Sequence, residues 1–254
     1  MYYDYDDNSL LARLDRKFGR YGLKNLMFII VIGMAFVWLA DFALSRVDNA
    51  SLSSYLMFDK NKVLAGEVWR VLTFVFIPES DSVLFLLFSL YFFWFMGSLI
   101  EKEWGAFRFN LFYLVGYLGS LASGFITGYA TSYYLNLTLF LAFAILNPNV
   151  QVMLFFIVPI KVKWLAILDI VLIGLELIVM PLVGKIAILV ALLNVILFFW
   201  RPVFRSIKNY FRRKRYLSEL NGGYSEAEKR ERKRRIDIKL IKDEDSDKDE
   251  DLFS

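Results

Sequence analysis

The chain is predicted to be an all-α integral membrane protein, a bundle of six transmembrane helices with a short fourth helix. Three observations predict it. Hydrophobic residues make up 57% of the 254 positions and aromatic residues 18%, too apolar for an ordinary soluble domain. Six apolar runs follow one another, several of them close to the roughly 20 residues that a bilayer core requires. The charges crowd into the two tails and a few short loops, leaving the middle of the chain nearly free of them.

The first run covers 25–44, behind a basic stretch with Arg13, Arg16, Lys17, Arg20 and Lys24. It is too long for the apolar part of a cleaved signal peptide, and no small-residue cleavage site follows it. The second run is 83–100 and the third 107–130. A shorter fourth, 135–146, stops at Asn147-Pro148. The segment 151–160 is too short to span and is expected to be an interfacial or loop element. The fifth span follows it, from Trp164 to Met180, and the sixth runs over 186–200, closed by Arg201-Pro202. The chain then divides into a basic amphipathic N-terminal segment (1–24), the membrane domain (25–200) and a polar tail (201–254). In the tail, 225–239 is expected to be a solvated helix opened by Ser225 with Glu228 three residues on. The acidic end, 243–251, is expected to be disordered.

Six spans put both termini on one side. The basic flanks of spans one and six, Lys102, Arg108, Lys161 and Lys163 all fall there, so the positive-inside rule places both tails in the cytoplasm. Short loops and an uncleaved first helix fit a bacterial inner (plasma) membrane. The endoplasmic reticulum is the alternative, and no retention signal decides between them.

The chain has no histidine and no cysteine, so it lacks an imidazole base, a thiolate nucleophile and the usual soft metal ligands. No metal, cofactor or nucleic-acid partner is expected.

Four sequence features carry more specific information. Gly66-Glu-Val-Trp69-Arg70-Val-Leu-Thr73 stands in the first long loop, with Trp69 as an interfacial anchor and Arg70 free to bond carbonyls or headgroups. Gly97, Glu101 and Gly105 repeat at four-residue spacing at the end of span two, which stacks two small residues and a carboxylate on one helix face. Gly116, Ser120, Gly124 and Gly128 continue that spacing through span three, as a ridge along which another helix can approach closely. Pro159-Ile-Lys161-Val-Lys163 turns the chain into span five, with lysines placed to snorkel.

In this order, these features resemble the rhomboid superfamily over residues of about 15–200. The Trp69-Arg70 loop is similar to its first-loop motif, Gly97-Glu101-Gly105 to its Gly-xxx-Glu-xxx-Gly pattern, and Pro159 to Lys163 to its turn into helix five. The resemblance implies a compact six-helix bundle with a partly submerged fourth helix. It also implies a Gly-x-Ser-Gly turn at the start of helix four and a histidine on helix six, and both are missing: the chain reads Tyr133-Tyr-Leu-Asn136-Leu-Thr there, and Ala191 stands near the histidine position. The resemblance is therefore to a rhomboid pseudoprotease, with the derlins as the nearest analogy. No enzymatic activity is expected, because a serine needs an adjacent base to attack an amide.

Asn136, Glu176 and Asn194 are the polar groups expected inside the membrane. A central carboxylate costs about 2.5–3.5 kcal/mol on insertion scales, so Glu176 is expected to be protonated, bonded to Asn136 or Asn194, or facing a hydrophilic cavity. Asp169 is expected to answer Lys161 or Lys163, and Trp38 to Asp41 to act as an interfacial anchor. The expected function is binding: the bilayer and transmembrane segments of client membrane proteins are the partners, and a protease or extraction factor could dock on the tail. The alternatives are an intramembrane protease with an unrecognised catalytic pair and a transporter relaying protons through Glu176.

Overall fold

In a computed structural model, residues 10–45, 51–80, 82–154, 158–220 and 226–253 are described. The elements in order are α1 (Leu10–Phe18), α2 (Leu26–Leu44), α3 (Leu52–Leu56), β1 (Phe58–Asp59), α4 (Lys60–Leu64), α5 (Arg70–Thr73), α6 (Val83–Trp104), α7 (Ala106–Thr127), β2 (Tyr129–Ala130), α8 (Tyr133–Leu146), β3 (Gln151–Leu154), β4 (Val158–Lys161), α9 (Val162–Val179), α10 (Leu182–Leu220) and α11 (Glu226–Phe253). Single 3-10 turns lie at Gly19–Tyr21 and Phe74–Phe76.

The protein is predominantly helical, and among the described residues three helices, α2, α6 and α7, are long and apolar enough to cross a membrane. α8 and the stretch Gly184–Trp200 of α10 are apolar but shorter. α9 is 18 residues long and carries Lys163, Asp169 and Glu176 among its apolar residues. Leu168, Ile170, Val171, Leu172, Leu175 and Ile178 are all exposed on it. An aqueous protein does not leave such a continuous apolar surface uncovered. Lipid is the solvent that fits it.

Two compact units divide the chain. One comprises residues 20–199 and the other residues 1–19 and 200–254. In the first unit α8 is the most enclosed helix, with Leu135, Leu139, Ala142 and Phe143 inaccessible or nearly so. It packs on α6, α7 and α9, and Phe143 makes edge contacts with Phe92 and Phe95 of α6. At the far end of α7, Trp104 stacks on Phe199 with ring centroids 4.6 Å apart, and Phe112 meets Phe198 edge-on. The β1–β2 pair, Phe58 with Ala130 and Asp59 with Tyr129, ties the first loop to the α7–α8 connection.

Several expectations are corrected here. The third span ends at Thr127, where Gly128 turns left-handed (φ 99°) and the chain enters β2. Gln151–Leu154 and Val158–Lys161 pair antiparallel, β3 with β4: Pro159 donates no hydrogen bond, so the segment suits a two-stranded edge rather than a helix. The apolar stretch of α10 ends at Trp200, but Arg201-Pro202 does not end the helix, which continues to Leu220. A proline removes only one helical hydrogen bond and is tolerated where the rest of the helix holds. The acidic stretch 243–251 falls within α11. Ser225 lies outside the described residues.

Candidate functional site

The first loop is organised by one short segment. α3 ends at Leu56, and the last four carbonyls of any helix lack intrahelical partners. The α5 segment supplies them from side chains. Arg70 Nη1 donates to Ser54 O (2.8 Å) and Met57 O (2.7 Å). Trp69 Nε1 donates to Tyr55 O (3.1 Å) and Thr73 Oγ1 to Leu56 O (2.9 Å). Arg70 is only 2% exposed and also pairs with Glu67. The Trp-Arg pair thus binds carbonyls, while the Trp69 ring remains about half exposed. The loop is anchored again at its start, where Asp41 accepts from the backbone N–H (3.1 Å) and the hydroxyl of Ser53. Asp41 therefore holds the loop rather than merely marking the end of α2.

The Gly97-Glu101-Gly105 face joins α6 to the start of α2. Gly97 lies so close to Met27 that an added Cβ would sit 2.4 Å from its Cβ. Glu101 accepts from the backbone N–H of Asn25 at 2.8 Å, the residue before α2, itself left-handed at φ 57°. Gly105 (φ 84°) makes the corner into α7.

The small residues of α7 do not form a ridge for one helix. Gly116 meets Asn194 of α10 and Leu135 of α8, whereas Gly124 meets Phe58 and Ala130. Gly128 is the residue that ends the helix. Gly119, against Val190 of α10, was not anticipated.

Ser120 lines a cavity of about 40 Å³ together with Ser123, Thr127, Thr131 and Tyr134, closed by Met180, Gly184 and Ala187. Ser123 is buried, and its hydroxyl has no hydrogen-bond partner. Tyr134, at the start of α8, lines this cavity and lies near Glu176 of α9. Met180 caps the end of that helix, and its backbone N–H donates to Glu176 O at 2.8 Å.

The three intramembrane polar residues do not meet one another as expected. Asn136 donates to Glu79 Oε1 at 3.0 Å, a residue absent from the sequence reading. Ser132 donates to Ile77 O (3.3 Å) and approaches the same Glu79 oxygen at 3.5 Å. Burial raises the Glu79 carboxyl above its ordinary pKa, opposed by these two hydrogen bonds. Asn194 is buried against Gly116, and among the described residues neither of its side-chain polar atoms is hydrogen-bonded. Glu176 Oε2 and Asp169 Oδ2 are likewise buried and unpartnered. Asp169 does not pair with the nearby lysines: among the described residues neither reaches it, and Lys163 lies over the Trp164 ring at 5.5 Å from its centroid. A signal for Glu79 was available in Pro78-Glu79, a carboxylate next to the start of an apolar span. Its partner lies 57 residues away, and no local pattern links the two.

No protein-family model, curated protein or solved structure matches this chain.

Proposed function

We propose that the protein is a non-catalytic rhomboid-like membrane protein, a pseudoprotease that binds transmembrane segments of other membrane proteins. The observation that carries this reading is the cavity beside the start of α8. Four Ser and Thr residues and Tyr134 set hydroxyls into its otherwise mostly apolar lining, and it reaches Met180 at the end of α9, whose outer surface is apolar. Hydroxyls set beside a lipid-facing helix suit a polar side chain of a guest segment that arrives through the membrane. The motif resemblance supports the finer architecture, a six-helix bundle with a short fourth helix, and the charge pattern supports cytoplasmic termini in a bacterial inner membrane. No imidazole or thiol is present in the chain, so the recess offers hydroxyls without the base that acyl transfer requires.

Two measurements test the reading. Crosslinking in native membranes, followed by mild-detergent purification, should recover single-pass or unassembled membrane proteins with the wild type. Recovery should fall with Trp69→Ala, which removes an exposed ring and one carbonyl hydrogen bond. An unchanged partner list, or none at all, would contradict it. An embedded reporter should remain uncleaved, whereas cleavage abolished by Ser120→Ala or Ser123→Ala would make the protein a protease.

A further inference from the structure

Asp169 and Glu176 lie seven residues apart on α9, on one face and about 10 Å apart in rise. Each has one carboxyl oxygen buried without a hydrogen-bond partner, and among the described residues no cation pairs with either. α8 is the helix that packs on α9, and the buried oxygen of each carboxylate lies within that packed region of the protein. Glu176 lies one turn before Met180, whose backbone N–H donates to Glu176 O, and Met180 lines the cavity in which the Ser123 hydroxyl is a further buried group without a partner among the described residues. The result is a strip of acceptors inside an apolar element: two carboxylates followed by several hydroxyls, with room at the end for a few water-sized groups. Each of those carboxylates is costly in lipid unless a donor reaches it.

We infer that this strip binds a membrane-embedded cationic side chain, the Lys or Arg of a transmembrane segment that has not found its own partner. The inference rests on the client-binding reading above and adds the chemical class of client. A lysine or arginine stranded in the bilayer carries the same unfavourable energy as the unpaired carboxylates, and contact relieves both. An ammonium is itself water-sized, so it fits the end of the strip, with hydroxyl oxygens completing its acceptors. Acidic or wholly apolar guests gain nothing from the same surface.

The test uses the full-length chain in phosphatidylcholine/phosphatidylglycerol vesicles with synthetic Leu/Ala single-pass helices that differ only in one central residue: Lys, Arg, Leu or Glu. Association is read by energy transfer between labels on peptide and protein. Lys and Arg guests should associate roughly 5- to 30-fold more tightly than the Leu guest, the range of an interhelical polar contact in model peptides. In the Asp169→Asn/Glu176→Gln variant that preference should vanish while Leu-guest association stays unchanged, which also reports that the variant is folded. Equal association of all guests with the wild type would overturn the inference and leave client binding standing. No association of any guest would overturn both, and a Lys preference that survives the double substitution would remove the carboxylates from the site.

Discussion

Arg70→Ala should cost the protein much of its stability, because that side chain is the main support of the first loop. The substitution leaves Ser54 O and Met57 O without donors and Glu67 without its ion-pair partner, in a site where Arg70 itself is almost inaccessible. A hydrogen bond to a charged group contributes about 1.5–3 kcal/mol, and breaking a buried pair from one side costs about 3–5 kcal/mol. The two carbonyl bonds and the pair share one guanidinium, so their contributions overlap. The expected loss is about 3–5 kcal/mol rather than their sum. Arg70→Lys should fall in between, since an ammonium is a point donor and cannot fork across two carbonyls and a carboxylate. Trp69→Phe, which removes only the indole donor to Tyr55 O, should cost about 0.5–1.5 kcal/mol. The free energies can be read by steric trapping in bicelles. An Arg70→Ala protein within about 0.5 kcal/mol of the wild type, the range of an inconsequential surface substitution, would refute the clamp.

Other outcomes follow from single contacts. Gly22→Ala should destabilise strongly, because its Cβ would meet the backbone of Phe107 at 2.6 Å, and backbone cannot rotate away; thermal unfolding in detergent checks it. Glu101→Ala should cost about 1–2 kcal/mol, by loss of the acceptor for Asn25 N–H, with Glu101→Gln much nearer the wild type. Asn194→Leu should be neutral or stabilising, since neither amide atom has a partner to lose; overpacking against Gly116 would appear as destabilisation instead. The Glu79 carboxyl has its folded pKa raised by burial. Its contribution to stability is therefore fully present below the ordinary carboxylate value and is lost as pH rises through the raised one. The unfolding free energy should fall over that window in the wild type, and the corresponding slope should disappear in Glu79→Gln.

Much of the helical layout was legible because apolar runs of this length have few other solutions. The ends of α2, α6 and α8 fall near the boundaries that charge and proline suggest. α8 was visible as a short apolar run, and Gly97 and Glu101 as neighbours on one face of α6, because both are encoded within a few turns, whereas Gly105 turned out to be the corner that ends that helix. Elsewhere the deciding interactions are distant in sequence. Glu79 was not singled out, because its partner Asn136 lies 57 residues away. Gly116 and Gly124 shared one spacing yet serve different neighbours, which a four-residue repeat cannot distinguish. Residues 151–161 are almost wholly apolar, and such a run gives no periodicity to separate strand from helix. The helix through Arg201-Pro202 shows that a proline weakens a helix without fixing where it stops.

Client capture at the α9 side of the bundle is the central claim, and position-resolved photocrosslinking in native membranes tests it most directly. A photoreactive residue would replace Ile178 or Leu168 on α9 and, as the control, Phe36 on α2, all three exposed. The α9 positions should capture membrane-embedded segments of other proteins and the α2 position should not. Equal capture from both helices, or none from α9, would contradict the account.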